Sequence, residues 1–305
     1  MDAHILVVGS LNMDLVVRAS RHPLPGETIL GSSFGTSPGG KGANQAVAAA
    51  RAGGKVTMIG RVGDDSLGDQ LIHNLSQDGV DIRYIQRTPA TASGVALITL
   101  DETGQNTIVV VAGANGLLSP EDIHASEAAF QDASVLLLQL EIPLEAVRTA
   151  VELGRKHNLQ IVLNPAPARS LPETLLKQID FLIPNENELA QLTGLHAVHM
   201  GVDSLKNLVL GGVIATLGGH GILVAERHKP SHQISAHQVE VIDTVAAGDA
   251  FVGCFGVALA EGKGIQEAAA FGNAAAAISV TRSGAQPSLP NRAEIDQFLA
   301  RPKGN

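Results

Sequence analysis

The chain has 305 residues, 45% of them hydrophobic and 17% charged, which provides apolar side chains for a large core and excludes a disordered chain. Its net charge of -9, one Tyr and seven Phe supply neither a basic field nor stacking platforms, so nucleic acid is excluded as a partner. A single cysteine, Cys254, rules out an internal disulfide or a thiolate metal cluster, fits a reducing cytoplasm, and reads as a small apolar core residue.

Residues 1–4 precede a short apolar run, 5–8, that lacks the charged and long apolar regions of a secretion signal; the run therefore reads as a first strand. Further β-branched or Leu-rich runs fall at 56–59, 135–138, 161–163, 181–183, 213–217 and 222–224. Helix-like stretches at 42–52, 67–78, 144–157 and 248–261 alternate with several of them. This rhythm predicts an α/β fold of three layers, α/β/α, around a mostly parallel central sheet, in one domain covering 1–305. The longest apolar stretch, 268–280, is broken by Gly272 and Asn273 and falls short of the roughly 20 residues that a membrane span needs, so no membrane is expected.

Two stretches depart from the rhythm. Residues 15–35 hold Pro23, Pro25, Gly26 and Gly31 between β-prone pieces, and 93–112 read as a hairpin turned at Thr103, Gly104 and Gln105. Together they predict a small sheet that covers the active site as a lid and pairs with a second copy of itself, because so small a sheet has little stability alone.

In a parallel α/β sheet ligands bind beyond the carboxyl ends of the strands, so residues just after each run are candidates for chemistry. Residues 35–41 begin like a phosphate-binding P-loop, but Gly42 stands where that motif needs a hydroxyl for magnesium. What remains, Gly39 to Asn44, is a glycine turn entering a helix, where Gly40 allows close backbone approach and Lys41 and Asn44 can donate to hydroxyls. Asp243 to Phe251 place Gly248 and Asp249 where a helix begins, and unsatisfied N–H groups there attract phosphate. Asp249 is either a helix cap or a base that takes a proton from an attacking hydroxyl.

Asn185 and Glu188 open another helix after the run 181–183 and read either as a favourable acidic first turn or as oxygen ligands for a hydrated magnesium ion. Thr216, Leu217, Gly218, Gly219, His220 and Gly221 form a strand end and glycine turn suited to nucleotide approach. Asn12, Asp14 and Glu141 lie near strand ends and suit recognition of sugar hydroxyls.

These motifs in this order resemble the ribokinase-like (PfkB) family of carbohydrate kinases from about Ile5 to Leu299. The pair formed by Gly39 to Asn44 and Asp243 to Asp249 carries most of the specificity. Residues 9–14, 25–28, 39–48, 164–168 and 284–287 resemble the ribose-phosphorylating members. The resemblance implies ATP-dependent phosphorylation of D-ribose at its 5-hydroxyl. Asn12, Asp14, Gly40, Lys41, Asn44 and Glu141 would hold the sugar and Asp249 would deprotonate it. Asn185, residues 216–221, Gly248 and Asn273 would meet ATP. Ala246, Ala247, Gly248 and Asp249 would form an anion hole, and Glu188 would organise Mg²⁺ through water. The resemblance also implies a K⁺ site at Asp243, Val245, Ser279, Arg282, Gly284 and Ser288, mostly through backbone carbonyls.

Three features depart from the family pattern. Ala246 and Ala247 stand where many members have Gly-Ala, and the extra methyl restricts the backbone. Asn273 replaces a His found in some members, and 196–212 is short for the helix expected there. Two other readings stay open: a related kinase for deoxyribose, fructose or a nucleoside, and a catalytically silent sugar-binding protein on the same fold. Asn12 and Asp14 favour a fully hydroxylated pentose, because polar groups left unmatched disfavour a deoxy analogue.

Overall fold

The computed structural model describes residues 3–300. Its strands are β1 (His4–Val8), β2 (Asn12–Ala19), β3 (Gly31–Gly39), β4 (Lys55–Gly63), β5 (Asp81–Thr88), β6 (Gly94–Leu100) and β7 (Asn106–Val111). They continue with β8 (Val135–Leu138), β9 (Gln160–Leu163), β10 (Phe181–Leu182), β11 (Gly212–Thr216), β12 (Ile222–Glu226) and β13 (His232–Ile234). Nine of them form one sheet in the order β13-β12-β11-β10-β9-β8-β1-β4-β5. From β11 to β5 every neighbouring pair is parallel, and β12 and β13 add antiparallel strands at one edge.

Unbroken apolar runs form central strands because both sides are covered. In β1, Ile5 and Val7 face one buried cluster while Leu6 and Val8 face another, and Val135 to Leu138 divide in the same way. Helices therefore cover both faces, as the alternating rhythm predicts. Several elements were not foreseen. β5 carries Asp81, Arg83, Gln86 and Arg87 among its apolar residues, which hides it at the sheet edge. The stretch 268–280, weighed above only as a membrane candidate, belongs largely to a helix, Ile265–Ser279, packed against helix Ala247–Ala260. The short interval before β11 does contain a helix, Val198–Leu205, of 8 residues. No helix among the described residues is long and apolar enough to cross a membrane.

Helix Lys41–Arg51 also lies against helix Ala247–Ala260. A Cβ built on Gly253 would fall 2.6 Å from Gln45 O and 2.7 Å from Ala48 Cβ, so the two backbones approach closely only because these positions are small. The Ala-rich tract 46–50 thus has a packing role. Cys254 is fully buried in the same helix, and burial pushes its thiol up to about 12, which leaves it inert.

The second sheet has four strands in the order β3-β2-β6-β7. β6 and β7 form the expected hairpin, with Gly104 at φ 82 in the turn and Asp101 accepting from the N–H groups of Thr103 and Gln105. β2 joins β6 in parallel and β3 antiparallel, so the two irregular stretches make one mixed sheet. All six residues of its edge strand β7 are exposed.

Candidate active site

The carboxyl ends of the parallel strands lead to most of the polar candidates. Ser10 and Leu11 follow β1, Glu141 follows β8, Asn164 follows β9, Asn185 follows β10, and Thr216 closes β11. Helix Lys41–Arg51 begins at Gly40, whose φ of 88 and tight approach to Asn12 N exclude a side chain. The Glu141 carboxylate accepts from the Lys41 N–H at 3.0 Å and from the Ser10 hydroxyl, pinning this turn across β1 and β8. Ser10 has no place among the sequence candidates; a lone serine after a strand carries no distinctive signal.

Asn12 is buried, and its Oδ1 accepts from Asn115 Nδ2 at 2.8 Å, which turns the Asn12 amide N–H₂ away from that partner and leaves it available to a ligand. Asn115 also exchanges two hydrogen bonds with the Leu11 backbone. It sits in the turn segment 113–117, which sequence reasoning passed over. The Asp14 carboxylate lies over Gly39, where a Cβ would come within 2.5 Å of its oxygen. Burial first, and then the charges of Glu141 and Asp249, push Asp14 up to about 7.

Two joined cavities flank Asp249. The smaller, about 180 Å³, is lined by Lys41, Asn164, Asn185, Glu188, Ala246 and Asp249 among others. The larger, about 540 Å³, holds Gly218, Gly219, Gly221, Gly248 and Asn273, together with apolar Val241, Phe251 and Val280. Asn185, Thr216, Thr244 and Gly248 line both. Of the predicted nucleotide residues, Leu217 and His220 do not line the larger cavity: Leu217 packs on the apolar core, and His220 is exposed. Gly221 has φ 89, and a Cβ there would strike Ile234 O at 2.1 Å, so this turn requires glycine. Segment 236–241, which supplies Ala236, His237, Gln238, Val239 and Val241 to the larger cavity, was not anticipated because it lacks regular structure and any marked motif.

Asp249 does not cap its helix. The N-cap is Ala246, without a side-chain hydrogen bond, and Asp249 stands in the first turn of Ala247–Ala260. Its buried carboxylate instead accepts from Asn44 Nδ2 at 2.9 Å on Oδ2 and from Gln45 Nε2 at 3.0 Å on Oδ1. Ala246 adopts φ 59, ψ 9, the left-handed conformation that an alanine reaches only at a cost. The methyl noted in the sequence therefore sits at a strained point of the proposed anion hole. Ala247 N–H donates to Thr244 O at 3.3 Å, whereas Gly248 and Asp249 stand in the first turn of the helix, where backbone N–H groups have no intrahelical acceptor.

Of the two readings of Asn185 and Glu188, the structure shows the acidic first turn of a helix. They form a capping box in which Asn185 Oδ1 accepts from Glu188 N–H and Glu188 accepts from Asn185 N–H, and both residues also line the two-cavity junction or its walls. Burial raises the Glu188 carboxyl pKa, partly offset by the Asn185 N–H and the Lys41 charge. For Lys41 burial acts downward, but the charges of Asp249, Glu141 and Glu188 outweigh it and raise the ammonium pKa, keeping it charged.

The predicted cation residues lie on two touching segments. Asp243 accepts from Val245 N–H at 3.0 Å and Gly284 N–H at 2.9 Å, and Asp243 N–H donates to Val280 O, next to the buried Ser279. Ser288 is also buried, while the Arg282 guanidinium pairs with Glu294 and leaves only its backbone to offer.

A parallel α/β sheet with a two-part cleft, a buried carboxylate at a helix N-terminus and a lysine amid carboxylates defines a small-molecule phosphotransferase of the carbohydrate-kinase class. The profile described as pfkB family carbohydrate kinase matches residues 2–292, and the chain belongs to that family. It is 41% identical over 300 residues to a ribokinase of Haemophilus influenzae, covering 97% of this chain and 98% of that one. It is 39% identical over 302 residues to a deoxyribokinase of Salmonella typhi, with the same coverage of 97% and 98%. A structure of Arabidopsis thaliana ribokinase complexed with ribose and ATP superposes with a TM-score of 0.92 at 33% identity, covering 99% of this chain and all of that one.

Proposed function

We propose that the chain transfers the γ-phosphoryl group of ATP to the 5-hydroxyl of D-ribose, giving D-ribose 5-phosphate and ADP. The carrying observation is Asp249: a buried carboxylate at the start of a helix, on the wall of the smaller cavity where it meets the larger one. There it can take the hydroxyl proton as the sugar oxygen attacks the γ-phosphorus and the bond to the ADP oxygen breaks. The proton passes from Asp249 to solvent after transfer. Lys41 and the amides of Gly248 and Asp249 stabilise charge on the moving phosphoryl group, which is most of what a protein contributes to a loose transition state. Asn12, Asp14, Gly40, Asn44 and Glu141 face the sugar, and Gly218, Gly219, Gly221 and Asn273 face the nucleotide.

Relatives named for ribose and for deoxyribose lie at 41% and 39% identity, too close for identity to decide the sugar. Ribose is favoured because Asn12, backed by Asn115, and Asp14 keep polar groups that a deoxy sugar would leave unmatched. Release of ADP measured by a coupled assay with ribose, 2-deoxyribose, fructose and adenosine tests this. The highest kcat/KM is expected for ribose, and a higher value for any of the others overturns the assignment.

The donor set at Asn185 and Glu188 fits Mg²⁺ held through water. The oxygens are hard, and among the described residues no cluster of three or more His, Cys, Asp or Glu could cage a metal alone. When bound on the phosphates, Mg²⁺ would neutralise their charge. Carbonyls of 243–245 and 279–288, drawn together by Asp243, fit a monovalent cation such as K⁺, for which backbone oxygens replace hydration. Residues 15–35 and 93–112 act as a lid in a homodimer. Support comes from Phe34, Leu97, Ile108, Val109, Val110 and Val111, each 47% or more exposed on the small sheet. The buried lone Cys254 accords with a cytoplasmic enzyme.

A further inference from the structure

Two chains of side-chain amides end on Asp249, one on each carboxylate oxygen. In the first, Gln139 Nε2 donates to Gln45 Oε1 at 2.6 Å and Gln45 Nε2 donates to Asp249 Oδ1 at 3.0 Å. In the second, Asn74 Nδ2 donates to Gln286 Oε1, Gln286 Nε2 donates to Asn44 Oδ1 at 3.2 Å, and Asn44 Nδ2 donates to Asp249 Oδ2 at 2.9 Å. Gln45 and Gln139 are fully buried, and Gln286 is 3% exposed.

Each chain has a direction. Every inner amide uses its oxygen to accept from the amide behind it, so only its N–H₂ end remains for the next acceptor. Turning Gln45 or Asn44 over would set an amide oxygen against the carboxylate and two N–H₂ groups against each other. Gln139 keeps this orientation although its own Oε1, packed against Gly9, is left without a partner. A buried carbonyl without a donor is unfavourable, so the demand of Gln45 for a donor prevails locally. Gln45 Nε2 also reaches Asn164 Oδ1 at 3.3 Å, and Asn164 Nδ2 is tied to Ile183 O at 2.9 Å, which anchors the first chain to the strand ends.

We propose that Gln45, with Gln139 behind it, and Gln286, with Asn74 behind it, are positioning residues: they fix the rotamer of the Asp249 carboxylate by presenting a donor to each oxygen. The carboxylate plane then holds its remaining lone pairs toward the cleft. Gln286 lies between Gly284 and Ser288, so the second chain also links the proposed cation loop to the base. None of the four is among the residues that line the two cavities beside Asp249.

This inference rests on the kinase reading, and the two fail differently. If the wild type turns over none of the four acceptors, the function is wrong; the variants are assayed with whichever acceptor the wild type phosphorylates best. Gln45→Met, Gln139→Met, Gln286→Met and Asn74→Ala are each compared with wild type for kcat, sugar KM, ATP KM and thermal unfolding. Misplacing a reacting group by about 1 Å costs on the order of 10²-fold, so kcat is expected to fall roughly 10- to 100-fold in Gln45→Met and Gln286→Met, with both KM values within about threefold. Asn74 is only half-buried on helix Ser66–Gln77, so its truncation tests the second chain even if a core variant fails to fold. Losses within one chain should not multiply: Gln45→Met with Gln139→Met should match Gln45→Met alone. A purely structural role would instead lower the unfolding temperature and leave kcat of the folded fraction intact. Unchanged kcat in Gln45→Met and Asn74→Ala, or multiplying losses within a chain, overturns the proposal.

Discussion

Asn44 Nδ2 donates to Asp249 Oδ2 at 2.9 Å, joining two helices whose partners stand 205 residues apart. The bond exists because Gly253 and Ala48 let those helices touch backbone to backbone. It makes one residue both a candidate sugar contact and a support for the base.

Asp249→Asn keeps the size of the side chain and removes its basicity. Turnover is expected to fall by about 10²- to 10⁴-fold, while ATP affinity, measured by calorimetry, stays near wild type. Retention of more than roughly a tenth of wild-type kcat would assign the proton transfer to another group.

Ala246→Gly should stabilise the protein. Alanine at φ 59 carries a left-handed penalty, and its removal is worth about 1 kcal/mol before the added freedom of glycine in the unfolded chain reduces the gain. A higher urea midpoint with an unchanged slope is the expected result; a lower midpoint would mean that the methyl makes contacts that outweigh the strain.

Asp14 supplies a pH dependence of stability. Its carboxyl is pushed up to about 7 in the folded protein, against roughly 3.9 when unfolded. Between these values the native state holds a proton that the unfolded chain has lost, so this group's contribution is fully present below about 4 and is lost as pH rises through about 7. Without ligands, the Asp14→Asn variant should show a flatter decline in unfolding temperature from pH 5 to pH 8 than wild type. Identical slopes in the two proteins would place the titration elsewhere.

A K⁺ requirement should appear in activity, because a cation between 243–245 and 279–288 would hold the adjoining anion-hole turn in shape. Rates in potassium are expected to exceed those in tetramethylammonium at matched ionic strength. Equal rates would remove the cation site from the mechanism.

The lid should be the segment most sensitive to ligand. Closure over the sugar would exclude water and limit wasteful hydrolysis of ATP. Hydrogen exchange in 15–35 and 93–112 is expected to slow when ribose is added, and light scattering should give a dimer at micromolar concentration. Unchanged exchange would dismiss the lid, and a fully active monomer would dismiss the dimer.

The main sheet was legible in the sequence because local chemistry reports it. Runs such as 5–8 and 135–138 are apolar on every residue, and only a strand covered on both faces accommodates that pattern. The glycine turn before Asn44 and the start of the helix carrying Asp249 were legible for a similar reason: phosphate and sugar chemistry demands particular residues close together in the chain. β5 was not, since its charged residues mask its period, and neither was the parallel pairing of β2 with β6, which joins segments distant in sequence. Ser10, Gln45, Asn115, Gln139 and Gln286 have common side chains in unremarkable contexts, and their roles arise only from hydrogen bonds spanning about a hundred residues or more. The sequence by itself determined the class of fold and the types of group at the strand ends, because those follow from burial and from short-range motif chemistry. Which oxygen of Asp249 each amide faces, and that Ala246 sits at φ 59, were decided only by tertiary packing, since a side chain's partner depends on which backbones approach and not on its neighbours in the chain.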